Sequence, residues 1–156
     1  MTAGYITLTV IMKIVKISTK KPPKWVLNAV KKKWGVLWEN GIIFTYDGII
    51  SSCLGIMTED LLAHEGNHII QQGNDPKEWW EKYLADDEFR YGQELECYQK
   101  QYEWISKRIT NKSEKFKLLR HYAAALSGGM YGELVNLTKA MSDIQNYDKK
   151  NRQNKV

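Results

Sequence analysis

Asp60-Leu61-Leu62-Ala63-His64-Glu65-Gly66-Asn67-His68-Ile69-Ile70 is the stretch that decides how this chain is read. Thr58, with Glu59 and Asp60 behind it, predicts a helix start, and Gly73-Asn74-Asp75-Pro76 predicts its end near Gln72. Residues i and i+4 share a helix face with Cβ atoms about 5–6 Å apart, so His64 and His68 can converge on one metal ion. Glu65, beside the first histidine, can reach a water drawn to that ion and take its proton. Only three histidines occur in 156 residues. That two of them frame a glutamate in this way by chance has odds of roughly a few in a thousand. The plainer alternative, two histidines on a solvated helix face, leaves the spacing unexplained.

A chain of this length suits one domain with a real core. Hydrophobic content of 43% and charged content of 26% belong to a globular protein, not a disordered one. Six Trp and nine Tyr suit a packed core or an aromatic-walled cleft. Cys53 and Cys97 are too few for a disulfide framework or a cysteine-based metal site, so a reducing compartment is expected, with one long-range bridge still open. Net charge is +5, with lysines at Lys20, Lys21, Lys24, Lys31-Lys32-Lys33 and from Lys149 to Lys155, while most acids lie between Glu59 and Glu103. The lysines could contact nucleic acid, but a solvated face explains them better, so a nucleic-acid partner is not expected. No apolar run approaches the ~18 residues of a membrane span. Tyr5 to Val15 is interrupted by Lys13 and lacks a basic leader and a cleavage site, so no export signal is expected.

Working outward, Lys13 to Ser18 nearly alternates and predicts a half-buried strand. Pro22-Pro23 opens a helix over 24–34 that Gly35 ends. Leu37 to Tyr46 reads as the clearest strand region, and Asp47-Gly48 predicts a hairpin into Ile49-Ile50-Ser51-Ser52. Beyond the motif helix come a short helix carrying Trp79, Trp80, Tyr83 and Leu84, and a long one from Asp86-Asp87 to about Lys107. Another runs from Glu114 to Leu126, capped at Asn111-Lys112-Ser113, and a last one lies near 138–144. Residues 1–147 are expected to form one domain with 1–11 as a dispensable extension, and 148–156 a disordered basic tail. The fold class expected is α+β, a small antiparallel sheet packed on a helical core that carries the site.

A catalytic zinc needs a third protein ligand and one open position. Glu94 and Glu96, in Gln93-Glu94-Leu95-Glu96-Cys97-Tyr98, are the candidates, because the turn at 73–76 lets that helix fold back across the first. Two residues apart, they point about 200° apart and do not both reach one ion. Arg90, one turn before Glu94, could orient that carboxylate or hold a substrate oxygen, against the alternative of a surface arginine. His121 could do the latter, or merely pack. Trp79 and Trp80 could wall a cleft or fill a core, and Gln71 and Gln72 could cap or bridge near the helix end. Gly66 could permit a close approach or simply be tolerated.

At these residues the chain resembles the glutamate-type zincins, whose second helix often carries E-x-x-x-D with the first glutamate on the metal. That resemblance selects Glu94 and implies a zinc ion held by His64, His68 and Glu94 with Glu65 as general base. Tyr98 stands where the family often has aspartate, which removes the usual carboxylate partner of a zinc-bound histidine. The chain is also similar to small metallopeptidases encoded by tailed phages. The similarity runs from the hairpin at 42–50 through Leu62-Ala63-His64-Glu65-x-x-His68, Gln71-Gln72 and Trp79-Trp80-x-x-Tyr83-Leu84-x-Asp86. It continues at Phe89-Arg90, Gln93-Glu94-x-Glu96 and Tyr131-Gly132.

The resemblance implies hydrolysis of a peptide or related amide bond in a peptide or protein substrate. It also implies action in the cytoplasm of an infected cell or as part of a virion. A virion structural or assembly protein with a stabilising or vestigial metal site is the competing expectation. A nucleic-acid-binding module is the third, and would show steeply salt-dependent binding.

Overall fold

The computed structural model describes residues 12–147, and the protein is α+β. The expected extension at 1–11 and tail at 148–156 lie outside the described residues. Strand β1 (Ile14–Lys16) pairs antiparallel with β4 (Ile56–Thr58), and β2 (Phe44–Tyr46) pairs antiparallel with β3 (Ile49–Ser51). One bridge, Ser18 to Ser51, links the two ribbons. Asp47 and Gly48 both take positive φ, 49° and 76°, so the hairpin is closed by the turn whose twist matches its strands. The strand expected from Leu37 to Tyr46 is a correction, since only its last three residues pair. Leu37 N–H donates to Asn40 Oδ1 at 2.8 Å and Gly41 adopts φ 79°, which closes a 3₁₀ turn over Trp38–Asn40. That turn drives Trp38 inward against Phe44. In β1 the alternation survives, but Ile14 and Lys16 face out and only Val15 is half-buried.

Six helices follow local signals closely. Helix α1 (Lys24–Trp34) buries Val26 and Val30 and ends at Gly35, whose φ of 68° is the left-handed stop. Lys31, Lys32 and Lys33 sit exposed in its last turn, where the helix dipole favours cations. Helix α2 (Glu59–Gln72) carries the histidine motif. Thr58 has the extended backbone of a cap, yet its hydroxyl donates to Asp60 Oδ1 rather than accepting from the helix. Helices α3 (Pro76–Ala85), α4 (Asp87–Ser106), α5 (Lys112–Leu126) and α6 (Leu137–Gln145) are capped in turn by Asp75, Asp86, Asn111 and Asn136. Each cap side chain accepts a backbone N–H three residues on.

Two apolar clusters flank the site. One joins α1, β2 and α3 through Val26, Val30, Phe44, Trp80 and Tyr83. The other joins α4, α5 and α6 through Ile105, Leu119, Leu126 and Ile144. Helix α2 lies between them and packs most extensively on α4. Its orientation inverts the usual amphipathic rule. Asp60, His64, Glu65, Asn67, His68 and Gln72 are buried, while Leu62 and Ile70 are 46% and 76% exposed.

Ile105 is fully buried in the α4–α6 cluster. Ile105→Ala should lower unfolding free energy by about 3 kcal/mol, read from urea denaturation. It should leave Glu94, three turns earlier on the same helix, in place.

Candidate metal centre

Helix α4 runs antiparallel to α2, so partners climb one helix as they descend the other. Asp60 meets Gln101, His64 meets Tyr98 and Glu94, and His68 meets Glu94 and Cys97. The result places His64 Nε2 3.1 Å from Glu94 Oε2 and His68 Nε2 3.2 Å from Glu94 Oε1. Glu96 points away and is exposed, its Oε1 accepting from Asn67 Nδ2 at 2.8 Å. Of the two glutamates weighed from sequence, Glu94 is the one that reaches the imidazoles.

Both histidine rings are bonded at their other nitrogen. His64 Nδ1 lies 3.1 Å from Gln101 Oε1, and His68 Nδ1 lies 2.8 Å from Gln71 Oε1. A carboxamide oxygen only accepts, so each Nδ1 is the donor and each Nε2 presents a lone pair unless doubly protonated. Two lone pairs facing a buried carboxylate repel it unless a metal ion or a proton lies between them. Glu94 Oε2 is buried and accepts no hydrogen bond. Ligand atoms on a tetrahedral ion with bonds near 2.0–2.1 Å are about 3.3 Å apart, close to the two separations here. The donor set therefore fits a metal ion.

Cys97, one turn after Glu94, approaches from the other side. Its Sγ is 3.4 Å from His68 Nδ1, and His64, His68 and Cys97 offer ligand atoms within 4.8 Å of one another, so this buried group could also hold a metal. The Nε2 side is the better fit, because Cys97 competes with Gln71 for the same Nδ1 while Glu94 has no other cation to face. Cys53 and Cys97 are both free thiols, which closes the question of a bridge between them.

The rest of the shell holds Glu94 and Glu65. Tyr83 O–H donates to Glu94 Oε1 at 2.6 Å, and its ring stacks on Trp79 at 4.7 Å. Thr45 Oγ1–H donates to Glu65 Oε2 at 2.7 Å, joining the base candidate to β2. Gln72 Nε2–H and Trp80 Nε1–H both donate to Thr45 O, which fixes that strand against α2 and α3. Trp79 and Trp80 are thus core residues that also line the site.

Arg90 is neither a surface residue nor a partner of Glu94. It is 1% exposed, and it donates to Met130 O and Tyr83 O, each at 2.7 Å, and pairs with Asp87. It pins the 3₁₀ turn Gly129–Tyr131 over the site. His121 is exposed on α5 and does not line the site, so of its two readings the oxyanion donor is set aside.

Glu65 at 8%, His68 at 6%, His64 at 4% and Glu94 at 3% exposure border one cavity of about 90 Å³, walled further by Trp34 and Tyr131. That holds several waters but not a peptide. Burial shapes the charges. It disfavours the ionised Glu94, but the two histidines outweigh it and hold the carboxyl well below its usual range. Burial alone would lower His68, yet the Glu94 carboxylate and the Cys97 contact raise it well above its ordinary value. Burial, and then the Glu94 charge, also raise Tyr83, keeping it a phenol donor.

Sequence reasoning missed Gln101, Tyr83, Thr45 and Cys97. Gln101 was legible in principle, since it lies seven residues after Glu94 on the same helix face. Tyr83 and Thr45 arrive from other elements and carry no local signal. No family model, curated protein or solved structure matches the chain.

A raised His68 stabilises the fold below about pH 6.5, and that contribution is lost as pH rises through its folded-state value. A depressed Glu94 contributes above about pH 4.3, and its share is lost as pH falls through its folded-state value. A metal ion displaces the His68 proton, so its uptake at pH 7 should release protons and its apparent affinity should climb with pH. Calorimetry in buffers of different ionisation heat checks this, and uptake without proton release would contradict it.

Proposed function

We propose that this protein is a zinc-dependent peptidase of the glutamate-zincin kind, cleaving a peptide or related amide bond. The observation that carries the reading is the meeting of two Nε2 atoms with the two oxygens of Glu94, one of them otherwise unbonded, in a cavity that Glu65 also lines. Two imidazoles and one carboxylate are a donor set of catalytic zinc. Bound there, zinc would supply Lewis acidity that makes water a nucleophile near neutral pH.

The remaining steps belong to the chain. His64, His68 and Glu94 hold the ion, and Tyr83 orients Glu94 by occupying one carboxylate oxygen. Thr45 occupies Oε2 of Glu65, which leaves the other oxygen to take a proton from water in the cavity. Glu65 then passes that proton to the leaving amine. Trp34, Trp79 and Trp80 keep bulk water out, which strengthens each of these electrostatic contacts. The similarity to phage metallopeptidases extends the reading to a substrate in an infected cell or virion. Among the described residues, no helix is long and apolar enough to cross a membrane.

Burial favours a second reading, a stabilising metal site in an assembly protein, because all four site residues are buried and the His64, His68 and Cys97 group could also hold a metal. X-ray absorption of the zinc-loaded protein separates the two, since a closed shell of four protein ligands fits the stabilising site and an open position filled by water fits the catalytic one.

Glu65→Gln should keep stoichiometric zinc and lose about 10²- to 10⁴-fold in hydrolysis, while His68→Ala should lose both. Zinc analysis paired with cleavage of a mixed peptide library reads the result. Wild-type rates from Glu65→Gln, or equal zinc in His68→Ala, would sink the proposal.

A further inference from the structure

Tyr98, one turn after Glu94, meets His64 edge-on at 4.5 Å and has no carboxylate to offer. One turn further along α4, Gln101 takes the place beside His64 Nδ1. Its Nε2–H donates to Asp60 Oδ2 at 2.7 Å, and the same oxygen accepts from Tyr122 O–H at 2.7 Å. Asp60 Oδ1 accepts from Thr58 at 2.5 Å. Asp60, Gln101, Tyr122 and His64 are all buried. A chain of side chains thus runs from α5, through the first turn of α2 and across α4, to the metal-facing ring.

We infer that Gln101 and Asp60 are positioning residues that set the tautomer of His64 for metal binding, an inference that rests on the metal site of the proposed function but not on hydrolysis. A carboxamide is ambiguous, since either its oxygen or its NH2 group can face a histidine. Asp60 removes the ambiguity. As a carboxylate it only accepts, so it draws the NH2 group of Gln101 to itself and turns Oε1 toward His64. Nδ1 must then carry the proton, and Nε2 is left as a lone pair facing Glu94. With Gln101 turned over, its NH2 group would face Nδ1, the proton would move to Nε2, and the metal would meet a hydrogen.

His68 is treated alike. Gln71 Nε2–H donates to the Gln93 backbone carbonyl at 3.0 Å, another acceptor-only partner, and presents Oε1 to Nδ1.

The test compares full-length wild type with Asp60→Asn, Gln101→Leu and Gln101→Glu, each loaded with zinc. Long-range ¹H–¹⁵N NMR of the imidazoles reports which nitrogen carries hydrogen. Competition with a chromophoric chelator gives zinc affinity, and circular dichroism confirms the fold. In wild type, His64 should be protonated at Nδ1 and ligated through Nε2. Gln101→Leu and Asp60→Asn should weaken zinc by about 10- to 100-fold, with His64 populating both tautomers before loading. Gln101→Glu, which still accepts from Nδ1–H, should recover most of the affinity lost in Gln101→Leu.

A folded Gln101→Leu that binds zinc within twofold of wild type would overturn the inference. So would a wild-type His64 ligated through Nδ1, a result that needs no variant to fold. Zinc binding with these signatures but no peptide cleavage would defeat the catalytic reading and leave the positioning role standing.

Discussion

The structure turns on His64, His68 and Glu94 facing one another across the buried α2–α4 interface. Burying such groups without partners costs several kcal/mol each, so the surroundings are organised to satisfy them. That need explains the orientation of α2. Its polar stripe faces inward and Leu62 and Ile70 face out, because its specificity comes from paired polar contacts with α4 and not from apolar packing. The apolar stabilisation is supplied on either side, by the cluster around Phe44 and Trp80 and by that around Ile105 and Leu126. The two clusters act as jaws that hold a polar seam.

What could be read in advance follows from how local each signal is. The i, i+4 spacing of His64 and His68 and the acidic start of α2 are contained in one turn or two, and α2 spans Glu59–Gln72 as expected. Pro76, Asp86 and Asn111 mark helix starts by backbone chemistry that needs no tertiary context. The strand expected from Leu37 failed for an opposite reason. Its aromatic and β-branched content was real, but Asn40 and Gly41 turned the chain so that Trp38 could reach the core, a preference set by packing. At the site, choosing Glu94 over Glu96 depended on which face of α4 meets α2. Arg90 reads as a surface arginine until one sees Met130 O and Tyr83 O converge on it. Carbonyl partners contributed by the backbone leave no trace in a residue pattern.

The heavy aromatic content has a physical role in this arrangement. Trp79, Tyr83 and Tyr98 contact the two imidazoles edge-on, each within 6.5 Å between centroids, and so replace water around them with rings whose edges and faces are fixed. A rigid, dry wall raises the strength of the Glu94–histidine attraction, which is why Glu94 stays ionised despite burial. Tyr83 adds a donor at Glu94 Oε1 and remains a phenol because the same burial opposes its ionisation. The wall therefore does two things with one set of residues: it excludes solvent, and it leaves Oε2 of Glu94 as the uncommitted acceptor.

The pocket beside Glu65 is partly open to solvent and holds about 90 Å³, room for several waters. The cover differs in how firmly it is tied. The 3₁₀ turn Gly129–Tyr131 is held by buried Arg90 through the Met130 carbonyl, and β2 is held by Gln72 and Trp80 through Thr45 O. Moving either breaks a hydrogen bond to a buried group, which costs about 1–3 kcal/mol. The stretch Ile42–Ile43, between the Gly41 turn and β2, lines the cavity without belonging to a strand. It adjoins β2, the strand that holds Thr45 against Glu65.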